Sequence, residues 1–183
     1  MILSTGAAAA RARASLPAAG ILLASTGEPF SAVAIALAVR RSGGSRVRVV
    51  TVARIHGSSF GLQHPGLMPS KRERDQAQAI VTDAIKALQR AGVKADGEVV
   101  ITRGAARAFA RAARGAREVQ HVIVDDPRTG RLGRLSTGAT ARSVRYRLKS
   151  IDVTAVSGGI VHDADGGHRQ EPGGELDQLD RAV

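Results

Sequence analysis

Gly20-Ile21-Leu22-Leu23-Ala24-Ser25-Thr26-Gly27-Glu28-Pro29 is the stretch on which the fold turns. Ile21 to Ala24 run without a polar interruption and end in Ser, Thr and Gly. That is the pattern of a short buried strand closed by turn residues. Glu28-Pro29 then opens a helix, because a proline in the first helical turn gives up an N–H that has no partner there. Phe30, Val33 and Leu37 supply its inner face, and Gly43-Gly44 ends it.

The same alternation continues outward. Arg46 to Ala53, with Val47, Val49, Val50 and Val52, reads as a second strand, and residues 54–69 as a long loop with three glycines and two prolines. Ser70-Lys71-Arg72-Glu73 is a capping box, in which Ser and Glu each satisfy a free N–H at a helix start. Its helix runs through Ile80, Ala84, Ile85 and Leu88 to Gly92. Val99–Thr102, His121–Val124 and Ile151–Val156 read as strands three to five, Ala105–Ala113 and Leu135–Leu148 as helices three and four. Strands alternating with helices predict an α/β domain: a five-stranded parallel sheet with helices on both faces, joined by right-handed crossovers. In such sheets ligands bind beyond the carboxyl ends of the strands, where the strand order reverses. The expected organisation is a mobile arm over 1–18, a domain over 19–156, and an acidic, glycine-rich disordered tail over 157–183.

Composition bounds the function. The chain has 183 residues, 43% hydrophobic but only 2% aromatic, so Val, Ile, Leu and Ala must build the core. There is no cysteine, which excludes disulfides and cysteine zinc sites. No apolar run approaches the roughly 20 residues of a membrane helix. Arg11 and Arg13 follow the N-terminal alanines instead of preceding an apolar core, so no secretory signal is read. The expected compartment is the cytoplasm.

Formal charge is +11 and unevenly spread. Residues 157–183 hold six acids and two bases, a net of −4, which leaves +15 on the remainder. Of the 27 bases 23 are arginine. Attraction to polyanions such as RNA is one reading. Genome composition is the other, since Ala, Arg, Gly and Val all have GC-rich codons; it explains Arg over Lys better than it explains the net excess.

The residue pattern resembles the universal stress protein family. Ile21-Leu-Leu-Ala-Ser-Thr-Gly27 is similar to that family's opening strand. The order of five strands and four helices, Leu88-Gln-Arg-Ala-Gly-Val93, and Ile101-Thr-Arg-Gly104 before a helix match over about residues 19–156. The resemblance implies a Rossmann-like universal stress protein fold. It also implies a nucleotide site built from an Asp after the first strand and a Gly-x2-Gly-x9-Gly-(Ser/Thr) loop after the fourth. By family position this chain carries Thr26 for the aspartate, Asp125 and Arg128 for the first two glycines, and Gly138 followed by Ala139, with Thr140 one step later. Glycines let backbone N–H groups approach phosphates, and a helix N-terminus adds partial positive charge. With that loop degenerate, and with Asp125 and Asp126 where phosphates would lie, the expectation is no cofactor, and at most weak binding of ATP or another adenine nucleotide. Since the family usually dimerises through its last strand, a homodimer through residues 151–156 is expected, with Ile151, Val153 and Ala155 as its apolar face.

Two constellations remain. Arg103, Arg107, Arg111 and Arg114 recur at steps of four, four and three and so share one helix face; Arg142, Arg145 and Lys149 do likewise on the next helix. A solvated outer face explains such rows, but almost no acids intersperse them, which points to an anionic partner. The histidines, His56, His64, His121, His162 and His168, have no metal-ligand spacing, so no metal is expected. Nothing pairs a nucleophile with a base, and Gly57-Ser-Ser-Phe-Gly61 lacks the lysine of a phosphate-binding P-loop. The sequence therefore predicts a non-catalytic, stress-associated regulatory protein. The alternative is a basic RNA- or ribosome-associated protein on the same fold.

Overall fold

The structure, a computed structural model, describes residues 19–54, 68–116, 119–126 and 131–163. The N-terminal arm, most of the loop 54–69, and the chain beyond Asp163 lie outside the described residues.

Six strands form one sheet in the order β3-β2-β1-β4-β5-β6. They are β1 (Ala19–Ser25), β2 (Arg46–Arg54), β3 (Ala95–Thr102), β4 (His121–Asp126), β5 (Asp152–Ser157) and β6 (Ile160–Asp163). The first five are mutually parallel and β6 is antiparallel to β5. The helices are α1 (Ala32–Ser42), α2 (Lys71–Arg90), α3 (Ala105–Gly115) and α4 (Arg131–Arg147).

β1 is central because nothing in it is polar from Ile21 to Ala24, and all four residues are fully buried. Alternation along the strands divides the core in two. Leu22, Val50, Val122 and Val153 face α3 and α4, where Phe109 and Val144 fill the layer. Ile21, Val49 and Ile123 face α1 and α2, against Leu37, Val81 and Leu88. Phe109 is the largest fully buried side chain, so small aliphatic residues carry most of the packing.

Helix starts follow their caps. The capping box forms as read: Ser70 N donates to Glu73 Oε2 at 2.7 Å, and Glu73 N donates to Ser70 Oγ at 3.2 Å. The first helix, by contrast, does not open at Glu28-Pro29. It begins at Ala32, because Ser31 Oγ accepts from Ala34 N at 3.2 Å and caps it. The fourth helix begins at Arg131, earlier than the expected Leu135.

The sheet has six strands where five were expected, and the domain does not stop at 156. Gly158 and Gly159, with φ of 57° and 80°, make a two-residue turn that needs positive φ at both positions. The turn returns the chain so that Ser157 pairs with Ile160 and Val156 with Val161. A Gly-Gly pair between apolar residues is a hairpin signature, but here it stands at the start of a polar, aperiodic segment that hides a four-residue strand. β6 covers the outer edge of β5, so the sheet edge offered to a partner is β6, with Ile160 46% exposed.

A chain ending at Ser157 should therefore melt lower than one ending at Asp163, by on the order of 5 °C for the lost ladder and Val161 packing. Thermal circular dichroism of the two truncations checks this.

Candidate functional site

The chain leaves β1 for β2 and then β3 on one side, and returns to β4 on the other. The strand order therefore reverses between β1 and β4, and the crevice beyond their carboxyl ends is the ligand position of a doubly wound sheet. Ser25 of β1 and Asp125 of β4 stand side by side there in register.

The turn after β1 is tightly wired. Ser25 Oγ hydrogen-bonds the Glu28 carbonyl and accepts from Glu28 N at 3.1 Å. Thr51 Oγ1, from β2, lies 3.4 Å from the Ser25 carbonyl oxygen. Gly27 has φ 101°, and a Cβ there would stand 2.9 Å from the Val52 carbonyl oxygen, so the loop lies directly on β2. Thr26, at the family's aspartate position, is buried beneath this turn.

Asp125 is fully buried. Its Oδ2 accepts from Ser31 N at 2.6 Å and its Oδ1 from Ser31 Oγ at 3.1 Å. Ser31 is the N-cap of α1, so the carboxylate sits at the positive end of that helix. Charge-assisted hydrogen bonds and the helix dipole together hold a charge that burial would otherwise penalise. The carboxylate is turned toward α1 and not outward to a ligand.

The other loop positions are not brought to the crevice as a phosphate cradle. Gly138, Ala139 and Thr140 lie inside α4, well past its first turn from Arg131. Only the first four N–H groups of a helix are free to meet a ligand, and those deeper in are used by carbonyls four residues back. Ala139 is exposed and Thr140 half-buried. Arg128 and the side chain of Asp126 lie outside the described residues, as do His56, His64, His168 and the Gly57–Gly61 turn.

The arginine rows are helical only in part: Arg103 precedes α3, whose N-cap is Gly104, and Lys149 follows the end of α4 at Arg147. Arg103, Arg107, Arg111 and Arg114 are all exposed. Arg107, Arg111 and Arg114 line one side of a groove whose floor includes Arg48, and Arg147 reaches it from the end of α4. Arg142 and Lys149 are exposed and Arg145 half-buried, away from that groove's lining. Sequence reading missed Ser31 and Arg48. An Ser three residues before the apolar Ala34 marks a cap, and an arginine at an alternating position inside Val47-Arg48-Val49 marks a charge carried into a buried strand.

Among the described residues no group of three or more His, Asp or Glu is placed to hold a metal, and no helix is long and apolar enough to cross a membrane. The remaining polar cluster sits at the opposite end of the sheet, where Asp152 Oδ2 meets Arg41 Nη1 and His121 Nδ1, each at 3.2 Å.

This architecture is that of the universal stress proteins. A universal stress protein family member from Burkholderia pseudomallei is similar at TM-score 0.50 and 20% identity, over 75% of this chain and 95% of that one. The universal stress protein from Archaeoglobus fulgidus is similar at TM-score 0.52 and 14% identity, over 76% of this chain and 93% of that one. A universal stress protein from Archaeoglobus fulgidus in complex with dAMP is similar at TM-score 0.51 and 13% identity, over 76% of this chain and 96% of that one. At these identities the likeness is one of fold. No family model matches the sequence, and no curated protein matches it.

The Asp125–Ser31 pair should behave as a coupled unit in urea unfolding. Ser31→Ala should cost about 1–2 kcal/mol as a lost cap, and Asp125→Ala about 2–3 kcal/mol because the Ser31 N–H is left without its acceptor. The double variant should fall short of the sum by about 1 kcal/mol.

Proposed function

We propose that this chain is a universal stress protein family member that acts by binding and not by catalysis: a stress-associated, cytoplasmic regulatory domain with weak affinity for adenine nucleotides. One observation carries the reading. At the position of the family's first loop glycine stands Asp125, whose two oxygens are taken up by the N-terminus of α1. A triphosphate placed at this crevice would meet a buried carboxylate instead of backbone N–H groups. Ser25, Ser31 and Asp125 direct their hydrogen bonds to one another and to the backbone. That is the arrangement of a structural network and not of a nucleophile with its base. The dAMP held by the Archaeoglobus fulgidus protein suggests the ligand class that a residual site would take. A homodimer would form at the β5–β6 edge, where Ile160 is exposed.

A second reading, association with RNA or the ribosome, is favoured by the exposed arginines Arg107, Arg111 and Arg114 on α3, with exposed Arg103 just before the helix.

Isothermal titration tests the first reading. Mg-ATP and AMP should each give no saturable heat at micromolar protein, with dissociation constants no tighter than about 1 mM, some 4 kcal/mol of binding free energy. Micromolar affinity for either nucleotide would overturn the weak-site reading.

A further inference from the structure

On the sheet face opposite α1 and α2, α3 and the outer strands β2 and β3 enclose an open groove of about 1220 Å³. Val100 and Thr102 of β3 and Arg48 of β2 form its floor. Arg107, Arg111 and Arg114 form its wall, and Arg147 closes one end. Arg114 donates to the Arg147 carbonyl, which ties the end of α4 to the wall. Five guanidinium groups thus meet a single acid in the lining, Glu98.

Arg48 is the unusual member. It is only 8% exposed, although arginine is among the residues least often buried. Its Nη2 lies 3.0 Å from Glu98 Oε1, but its buried Nε has no hydrogen-bond partner. Asp96 stands level with Arg48 on β3, outside the lining, and its buried Oδ1 is likewise without a hydrogen-bond partner. A buried guanidinium normally has its donors satisfied. Arg48 is thus held against Glu98 with one donor unused, and the groove's unbalanced positive charge lies in the wall of solvent-facing arginines above it.

The chemistry that fits is phosphate. Planar guanidinium forks match phosphate oxygens, and several together hold a chain of charges better than one. No aromatic side chain lines the groove, so base stacking does not contribute. Arg107 and Arg114 are separated by about 10 Å along the helix axis, room for more than one phosphate. We propose that this groove binds consecutive phosphates of a polyanionic chain, RNA or inorganic polyphosphate, with Arg107 and Arg111 gripping from α3 above the Arg48–Glu98 floor. The proposal rests on the second functional reading above and gives it a site.

The test is fluorescence anisotropy of the full chain with a labelled single-stranded RNA and, separately, with a labelled inorganic polyphosphate, each at about 50 and about 200 mM salt. The groove variant is R107Q/R111Q. The control is R72Q/R74Q, two exposed arginines on α2 across the sheet, with the same loss of charge. Thermal melts confirm that both variants fold. The groove variant should bind roughly tenfold more weakly at low salt and flatten the log–log salt slope by about 1.4, while the control changes little. Equal loss in both variants would overturn the groove while leaving RNA association standing. Binding of polyphosphate without RNA would keep the groove and remove the RNA reading. Absence of binding by either at low salt would overturn both.

Discussion

Asp125 reaches from the end of β4 to the first residue of α1's cap, 94 positions earlier in the chain, and places both carboxylate oxygens on Ser31. The contact spans the point where the strand order reverses, which in a parallel sheet is the place least held together by its own connections. β1 and β4 touch there only through their ladder, and the helices that follow them diverge to opposite faces. A charged acceptor at a helix N-terminus ties the two halves at that point. It also settles the orientation of α1, because the cap that starts the helix and the group that anchors it are the same serine.

That arrangement has a chemical consequence. In doubly wound sheets the free N–H groups at the switch point are what an anionic ligand uses. Here an internal anion, Asp125, takes the N–H and hydroxyl of Ser31 at the start of α1, while the Gly138–Thr140 segment is drawn into α4, where backbone N–H groups are already bonded. On the proposed reading, function lies in surfaces: the sheet edge at β6 and the basic face of α3. The two faces of the sheet differ accordingly. The α1–α2 side closes over Ile21, Val49 and Ile123, whereas on the α3 side the outer strands leave a groove with Arg48 in its floor.

The glycine turn at 158–159 shows how a short local element alters the reading of a whole edge. With β6 in place, β5 has a strand on each side, and its buried Val153, Ala155 and Val156 belong to this chain's own core. The expected apolar dimer face at 151–156 is thus largely internal, and an approaching partner would meet Ile160 and the backbone of β6. β6 and the basic groove beside β3 lie at opposite margins of the sheet.

Much of the fold was legible because its determinants are local. Ile21–Ala24 reads as a buried strand, Ser70 to Glu73 reads as a helix start, and the valines of β2 fall on both faces, as a strand covered on both sides requires. The parallel order followed from strand–helix alternation, and the exposure of the α3 arginines from their spacing. What the sequence by itself could not decide was where side chains separated along the chain would meet. Asp125 reads as a carboxylate facing a ligand until the 94-residue separation from Ser31 is closed by folding. Gly138 reads as a loop glycine until α4 is seen to begin at Arg131. Arg48 reads as one base among 27 until β3 and α3 bury it beside Glu98. Periodicity records which face of an element is apolar, because burial is a property of each element. It does not record which polar groups become partners, because that depends on register and crossover, and those exist only in the assembled sheet.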